Sequence, residues 1–371
     1  MLAVVVSSLA GSAQGASWHL GEATLIDADG TRPRLWEGTI AYSLGTAVWY
    51  YDGAQSILVA DPPVSNWDPV NANGSVAWRN SPYGSPDHEI FRWDGADVVN
   101  ISNSPGVDSD VTAGGNGDLI WRDQDKILVY YDASDGSTTT LGVQGTQPSL
   151  YITDSGLATY AYQDSDTESP TYRHVIYVGN NGFPISLGPG AEYGAVPSLW
   201  NGAVAWIAEG EVGSTFTNAE VYYWKDGATQ RLTEDDPAIA DEFPSVWNDR
   251  VIWGRCLDGA FSPPAMFIWD GTEVTQLTAS SGTRPSFHTG QVAWTEDTEG
   301  VLFLADVLGE LDGDCDEDGD VDHIDYADFE SCLTGPDVVV DPGCTCFDLD
   351  DDGHVDLEDF AVFQRAFTGS P

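Results

Sequence analysis

Apolar and polar positions alternate in short runs through most of this chain, and each run is broken by turn residues, the signature of strands with one face buried. Between residues 20 and 306 one phrase returns: a turn residue, often Pro, an aromatic or apolar strand, a polar turn, and a strand ending on an aromatic. The clearest copies are Pro197-Ser198-Leu199-Trp200-Asn201-Gly202-Ala203-Val204-Ala205-Trp206, Pro244-Ser245-Val246-Trp247-Asn248-Asp249-Arg250-Val251-Ile252-Trp253 and Pro285-Ser286-Phe287-His288-Thr289-Gly290-Gln291-Val292-Ala293-Trp294. Earlier copies start at Pro33 and Pro69, and looser ones end at Trp121 and Tyr160. That makes seven copies, spaced about 36 to 47 residues apart. A second hairpin follows each copy, marked by Asp52-Gly53, Asp94-Gly95, Asp226-Gly227 and Asp270-Gly271, where Gly accepts a positive φ without steric cost. A further strand such as the one ending at Thr233 or Thr278 completes each unit. A lone four-stranded sheet cannot bury both faces, whereas radial stacking of such units does. The period therefore predicts an all-β, seven-bladed β-propeller.

Residues 23–26, followed by Asp27-Ala28-Asp29-Gly30-Thr31-Arg32-Pro33, read as a fourth strand without its first three. The unit opening at Arg284 lacks a clear fourth strand, so the N-terminal strand is expected to complete the last blade and remove a free edge. The phrase of Pro, aromatic, polar turn, Ile-Ala-aromatic and Leu-Thr resembles the repeat of TolB-like propellers over about 280 residues. Here the turn is Asn-Gly or Asn-Asp where that family favours Ser-Pro-Asp-Gly. The tryptophans invite a sugar-stacking reading, but Trp78, Trp121, Trp206, Trp253 and Trp294 share one repeat position, which points to packing between blades.

The pattern changes at residue 310. Asp314-Cys315-Asp316-Glu317-Asp318-Gly319-Asp320-Val321-Asp322-His323-Ile324-Asp325 recurs 34 residues later as Asp348-Leu349-Asp350-Asp351-Asp352-Gly353-His354-Val355-Asp356-Leu357-Glu358-Asp359. Carboxylates at alternate positions, Gly at the sixth and a β-branched residue at the eighth are what wrapping oxygens around Ca²⁺ requires. Steps of three and four place Tyr326, Phe329 and Leu333, and Phe360, Phe363 and Phe367, on one face of a short helix after each loop. Gly335 and Gly369 would end those helices. A loop followed by one helix, duplicated at this spacing with Asp at the twelfth position, resembles a type I dockerin, a small α-helical tandem EF-hand-like domain, over residues 310–371. The resemblance implies two Ca²⁺ ions. Side chains of Asp314, Asp316, Asp318, Asp322 and Asp325 would bind the first, with the carbonyl of Asp320; Asp348, Asp350, Asp352, Asp356 and Asp359, with the carbonyl of His354, would bind the second. It also implies a cohesin-like partner. The partner-choosing pairs, His323-Ile324 and Leu357-Glu358, differ from each other and from the usual small hydroxyl pair, so the partner's identity does not carry over.

Composition sharpens this picture. The chain has 60 acidic and 13 basic residues, a net charge of −47. Residues 310–371 hold 20 acidic residues and one basic one, leaving −28 on the remainder. That surface would repel nucleic acid and anionic membranes, and it suits a solvated, aggregation-resistant protein or a bank of weak cation sites. No apolar stretch approaches the length of a membrane span. Residues 1–16 read as a secretion signal lacking a basic start, with Ala13 and Gly15 suited to a cleavage site, so a secreted or cell-surface location is expected. Cys256 stands alone, and Cys315, Cys332, Cys344 and Cys346 cluster. In a small secreted module such a cluster implies two disulfides, with three pairings open; a zinc site is the alternative.

No Gly-x-Ser-x-Gly elbow, His-Glu-x-x-His or phosphate loop is present, and no catalytic residue is assigned. His88, His174 and His288 read as surface or turn residues. The insertions at 162–173 and 209–218 are the first places to look for a binding surface. The expectation is a secreted calcium-binding protein whose propeller recognises an extracellular glycan or protein and whose tail docks. The rival is an extracellular polysaccharide hydrolase or lyase carrying a dockerin. Arg, His and carboxylates converging on the propeller axis would favour the enzyme, and an axis of small apolar residues the binder. A third reading makes the tail a calcium-stabilised cap.

Overall fold

The computed structural model describes residues 18–366 apart from 22, 62–64, 73, 82–86, 154, 180–181, 191–194, 210–218, 235–238, 257–263, 280–281, 297–299, 309–314, 316–320, 322, 336–337, 342 and 350–352. Leu20–Val307 forms one compact unit; the described residues from Leu308 onward, with Trp18 and His19, belong to a second.

Among the described residues the large unit is built of six hydrogen-bonded sheets. Four contain four consecutive antiparallel strands each: Thr31–Trp36 through Ser56–Ala60, Ser65–Ala72 through Val98–Asn100, Ser198–Trp200 through Ala228–Arg231, and Ala240–Trp247 through Val274–Gln276. A fifth has seven strands, because the 16-residue strand Ser137–Ile152 pairs first with Ile127–Asp132 and then with Ala158–Asp164. The sixth joins the two ends of the unit. Thr283–His288, Gln291–Glu296 and Val301–Leu308 are followed on its edge by Thr24–Asp27, with Leu25 opposite Phe303, and by His19–Leu20. The opening strands touch in sequence around a ring, from Thr31–Trp36 through Ser65–Ala72, Ser109–Ala113, Ser137–Ile152, Ser198–Trp200, Ala240–Trp247 and Thr283–His288 back to Thr31–Trp36.

Apolar faces buried between neighbouring sheets hold the ring together. One such layer packs Ala203, Ala205, Ile207 and Tyr223 against Val246, Val251, Trp253 and Phe267. Trp78, Trp121, Trp206, Trp253 and Trp294 are all buried. Four of them stack on a cross-strand ring: Trp78 on Phe91, Trp206 on Tyr222, Trp253 on Phe267 and Trp294 on Phe303, at centroid distances of 5.5–6.1 Å. Trp253 also donates its indole N–H to Asp241 (2.9 Å), which receives Arg255 at 2.8 Å, so a buried carboxylate is satisfied twice. The Asp-Gly turns work as their chemistry predicts. Asp52, Asp94 and Asp270 each accept amides two and three residues on at 2.8–3.0 Å, and the following Gly adopts φ of +95° to +108°.

One backbone feature recurs without glycine. Arg32, Asp68, Asp110, Gln147, Val196, Phe243 and Arg284, each just ahead of the strand core in one unit, all have φ between +42° and +57°. At six of them the ladder to the next strand shifts register, so the inner strand bulges.

The second unit contains α1 (His323–Cys332), a 3-10 turn Thr345–Phe347 and α2 (Leu357–Ala366). Its core is Val321, Phe329, Cys332, Phe347, Val355 and Phe363. Disulfides Cys315–Cys346 and Cys332–Cys344 cross it, which selects one of the three pairings. The expected helix face is only partly correct. Phe329 and Phe363 meet at 5.1 Å, but Tyr326 and Leu333 are exposed, because the core is small and Cys332 takes the inward position beside them.

Candidate functional sites in the loops and along the axis

Of the residues expected to bind metal, Asp314, Asp316, Asp318, Asp320, Asp322, Asp350 and Asp352 lie outside the described residues. Asp325, Asp348, His354, Asp356 and Asp359 are described. Asp325 and Asp359, the twelfth positions of the two segments, are 1% and 0% exposed. Each accepts the amide of the second position of its own segment: Cys315 N–H to Asp325 Oδ1 at 2.8 Å and Leu349 N–H to Asp359 Oδ1 at 2.7 Å. Asp359 Oδ2 also accepts the Asp356 amide at 2.7 Å, and Asp348 accepts the amide of Gly353, which has φ +85°. Val321 and Val355, the eighth positions, are both buried. The two halves of the repeat thus share one loop closure. The described residues of the expected set offer carboxylates and the carbonyl of His354, hard oxygens that would suit Ca²⁺ better than a soft metal. Among the described residues no group of three His, Cys, Asp or Glu side chains stands ready to hold a metal.

Residues 210–218 lie outside the description. The other insertion is a self-tied turn, in which Asp164 accepts the hydroxyl of Thr171 (2.7 Å) and the amide of Asp166 (3.0 Å). His174 shares a hydrogen bond with Ser186 (2.8 Å), and His88 packs against Trp67. Cys256 is buried, and burial pushes its thiol up to about 11.

The residues that converge are those of the inner strands. His288 is neither on the surface nor in a turn; it ends the strand Thr283–His288 and is 6% exposed. Its ring lies 4.1 Å from Trp36, 5.1 Å from Trp200 and 6.5 Å from Trp247, and Trp200 meets Tyr151 at 5.0 Å. Trp36, Trp200, Trp247 and His288 share one repeat position, the end of the inner strand. The equivalent Ala72 is small, and at Gly115 an added Cβ would fall 2.5 Å from the Trp36 ring, so the indole rests on bare backbone. The Glu37 amide donates to His288 Nδ1 (3.2 Å), which places the neutral ring's proton on Nε2. Burial pushes this histidine down to about 4. His288 Nε2 and Trp247 Nε1 are buried and have no acceptor among the described residues.

Below this aromatic group the bulge residues link around the axis. Arg32 pairs with Asp68 at 2.6 Å, and Arg79 reaches the same carboxylate at 3.5 Å. Asp110 accepts the Gln147 amide (3.1 Å), Gln147 Oε1 accepts the Val196 amide (3.0 Å), and Arg284 lies 4.2 Å over Phe243. Arg34 and Arg284 make no ion pair among the described residues. Burial lowers both of their pKa values. Asp68 opposes that at Arg34 while Arg32 adds to it, and at Arg284 the charges of Arg32 and Arg34 add to it while Glu242 and Asp68 oppose it. Arg34 is nevertheless exposed to solvent. No single inner strand marks these residues in the sequence; the shared repeat position of Trp36, Trp200, Trp247 and His288 is the signal that does.

No protein-family model matches the chain, and a comparison with curated proteins gives no match. Solved structures do match. The β-propeller domain of the Trilobed protease from Pyrococcus furiosus superposes with a TM-score of 0.53 at 10% identity, covering 81% of this chain and 94% of that one. An acylaminoacyl peptidase from Pyrococcus horikoshii gives a TM-score of 0.50 at 12% identity, covering 76% of this chain and 51% of that one. At these identities the likeness defines the fold: the large unit is a β-propeller.

Proposed function

We propose that the protein is a secreted, calcium-dependent binding protein. Its ring counts as seven blades, the seven-stranded sheet supplying two, and its propeller recognises an extracellular glycan or protein. Its C-terminal unit is a dockerin-like pair of calcium loops that docks onto a cohesin-like partner. The observation that carries this reading is the identical closure of both acidic segments, Asp325 on the Cys315 amide and Asp359 on the Leu349 amide. Two buried aspartates at equivalent positions of carboxylate-rich loops favour a divalent cation. Ile324 and Leu357, beside those loops, are 56% and 73% exposed and suit a docking face.

One observation favours the rival enzyme: arginines, His288 and the carboxylates Asp68 and Glu242 gather at the axis. Against it, His288 has no free lone pair, since Nδ1 accepts the Glu37 amide and Nε2 carries the proton. Asp68 is held by two arginines. The test is calorimetric titration of the chelator-stripped full chain with Ca²⁺. Two sites are expected, one lost in Asp325→Ala and the other in Asp359→Ala. An absence of Ca²⁺ binding would remove the docking proposal. Turnover of a polysaccharide by the purified protein would replace the binder with the enzyme.

A further inference from the structure

Basic residues are scarce here, 13 against 60 acidic ones, yet the charges of Arg32, Arg34 and Arg284 act on one another. Arg32, Arg34 and Arg284 come from the first and last inner strands, which meet where the ring closes. Like charges so close cost energy unless an anion compensates them. Asp68 pairs with Arg32 and Arg79; its charge and that of Glu242 act on Arg34 and Arg284, but neither arginine makes an ion pair among the described residues. On the same strand, two residues beyond Arg34 and therefore on its face, stands Trp36 of the aromatic group.

We infer that the axis of the propeller binds a carboxylate-bearing saccharide, a uronate, with Arg34 and Arg284 holding the carboxylate and Trp200 and Trp247 stacking on the sugar faces. Guanidinium groups match a planar carboxylate with paired N–H donors. The buried N–H groups of Trp247 and His288 lack acceptors, and sugar hydroxyls supply them. A peptide fits less well. Strand addition needs free amides on the inner edges, and those of Leu35, Leu199, Val246 and Phe287 already donate to Ser286, Ser149, Ser198 and Ser245 at 2.9–3.0 Å. The low pKa of His288 keeps it neutral, so it adds a donor and no charge.

This inference rests on the reading of the propeller as a glycan binder, and calorimetry of the full chain with Ca²⁺ separates the two. The probes are trigalacturonate, a neutral galactose trimer and an acidic peptide. Trigalacturonate is expected to bind, more weakly as salt rises, with the neutral trimer at least about tenfold weaker. Arg34→Gln and Arg284→Gln should each cut trigalacturonate affinity about tenfold, with the circular dichroism of the native fold retained. Trp200→Ala should weaken both saccharides. Unchanged trigalacturonate affinity in both arginine variants overturns the inference. Binding of the neutral trimer alone overturns it while leaving the glycan reading in place. Binding of the peptide alone, or of none of the probes, removes both.

Discussion

The Ser286 hydroxyl accepts the amide hydrogen bond of Leu35 at 2.9 Å, joining residues 251 apart in sequence. Ser149, Ser198 and Ser245 make the same bond to the next inner strand, so Ser286 continues a ladder of bonds across the point where the ring closes. The Leu35 amide is buried and would otherwise be left unpaired. Ser286→Ala should cost about 1–3 kcal/mol, the penalty of an orphaned buried donor. Urea unfolding gives the magnitude, and amide exchange at Leu35 should accelerate. Unchanged exchange there would show that the bond does not hold the closure.

Asp241 offers a harder test of the packing between blades. It accepts both Trp253 and Arg255 while almost fully buried. Asp241→Ala leaves a buried guanidinium without its counter-charge, for an expected loss of about 3–5 kcal/mol. A change below 1 kcal/mol, as is usual for an exposed pair, would mean that Arg255 finds water instead.

His288 predicts a pH dependence. Its folded pKa, about 4, lies below the ordinary 6.5, so the unfolded chain binds the proton more readily. Its contribution is therefore complete above about pH 6.5, declines as pH falls toward 4 and is flat below that, amounting to on the order of 3 kcal/mol at most. His288→Gln should remove this part of the slope between pH 6.5 and 4. An identical slope in the variant would place the titration elsewhere.

The C-terminal unit should respond to chelator and reductant together. Cross-links at Cys315–Cys346 and Cys332–Cys344 restrict the unfolded ensemble, while the proposed calcium loops would hold mutually repelling carboxylates until the ion neutralises them. Chelator should reduce helical circular dichroism, and reductant added with chelator should abolish protection of residues 315–366 from proteolysis. Full protection under both treatments would show that neither metal nor disulfide stabilises this unit.

Much of the architecture was legible in advance because a repeat states its own period. The Asp-Gly turns, the buried run of Trp78, Trp121, Trp206, Trp253 and Trp294, and the helices after each acidic segment all follow from local chemistry. The axial group was not legible. Trp36, Trp200 and Trp247 occupy strand ends that alternation alone assigns to either face, and His288 reads as a turn residue because Thr289-Gly290 follows it. The bulges at Arg32 and Arg284 carry no glycine to announce a positive φ. The exposure of Tyr326 and Leu333 escaped prediction because helical spacing gives a face but not the size of the core beneath it.

By itself the sequence determined the strands, their turns, their radial stacking and the acidic duplication, because each depends on residues within about forty positions of one another. Tertiary structure alone decided the disulfide pairing and which side chains meet at the axis. The axial group depends on closing the ring, as between Leu35 and Ser286, 251 residues apart, and the disulfides, though only 31 and 12 residues apart, on which cysteines the folded core brings together; burial and hydrogen bonding, not local preference, choose the partner.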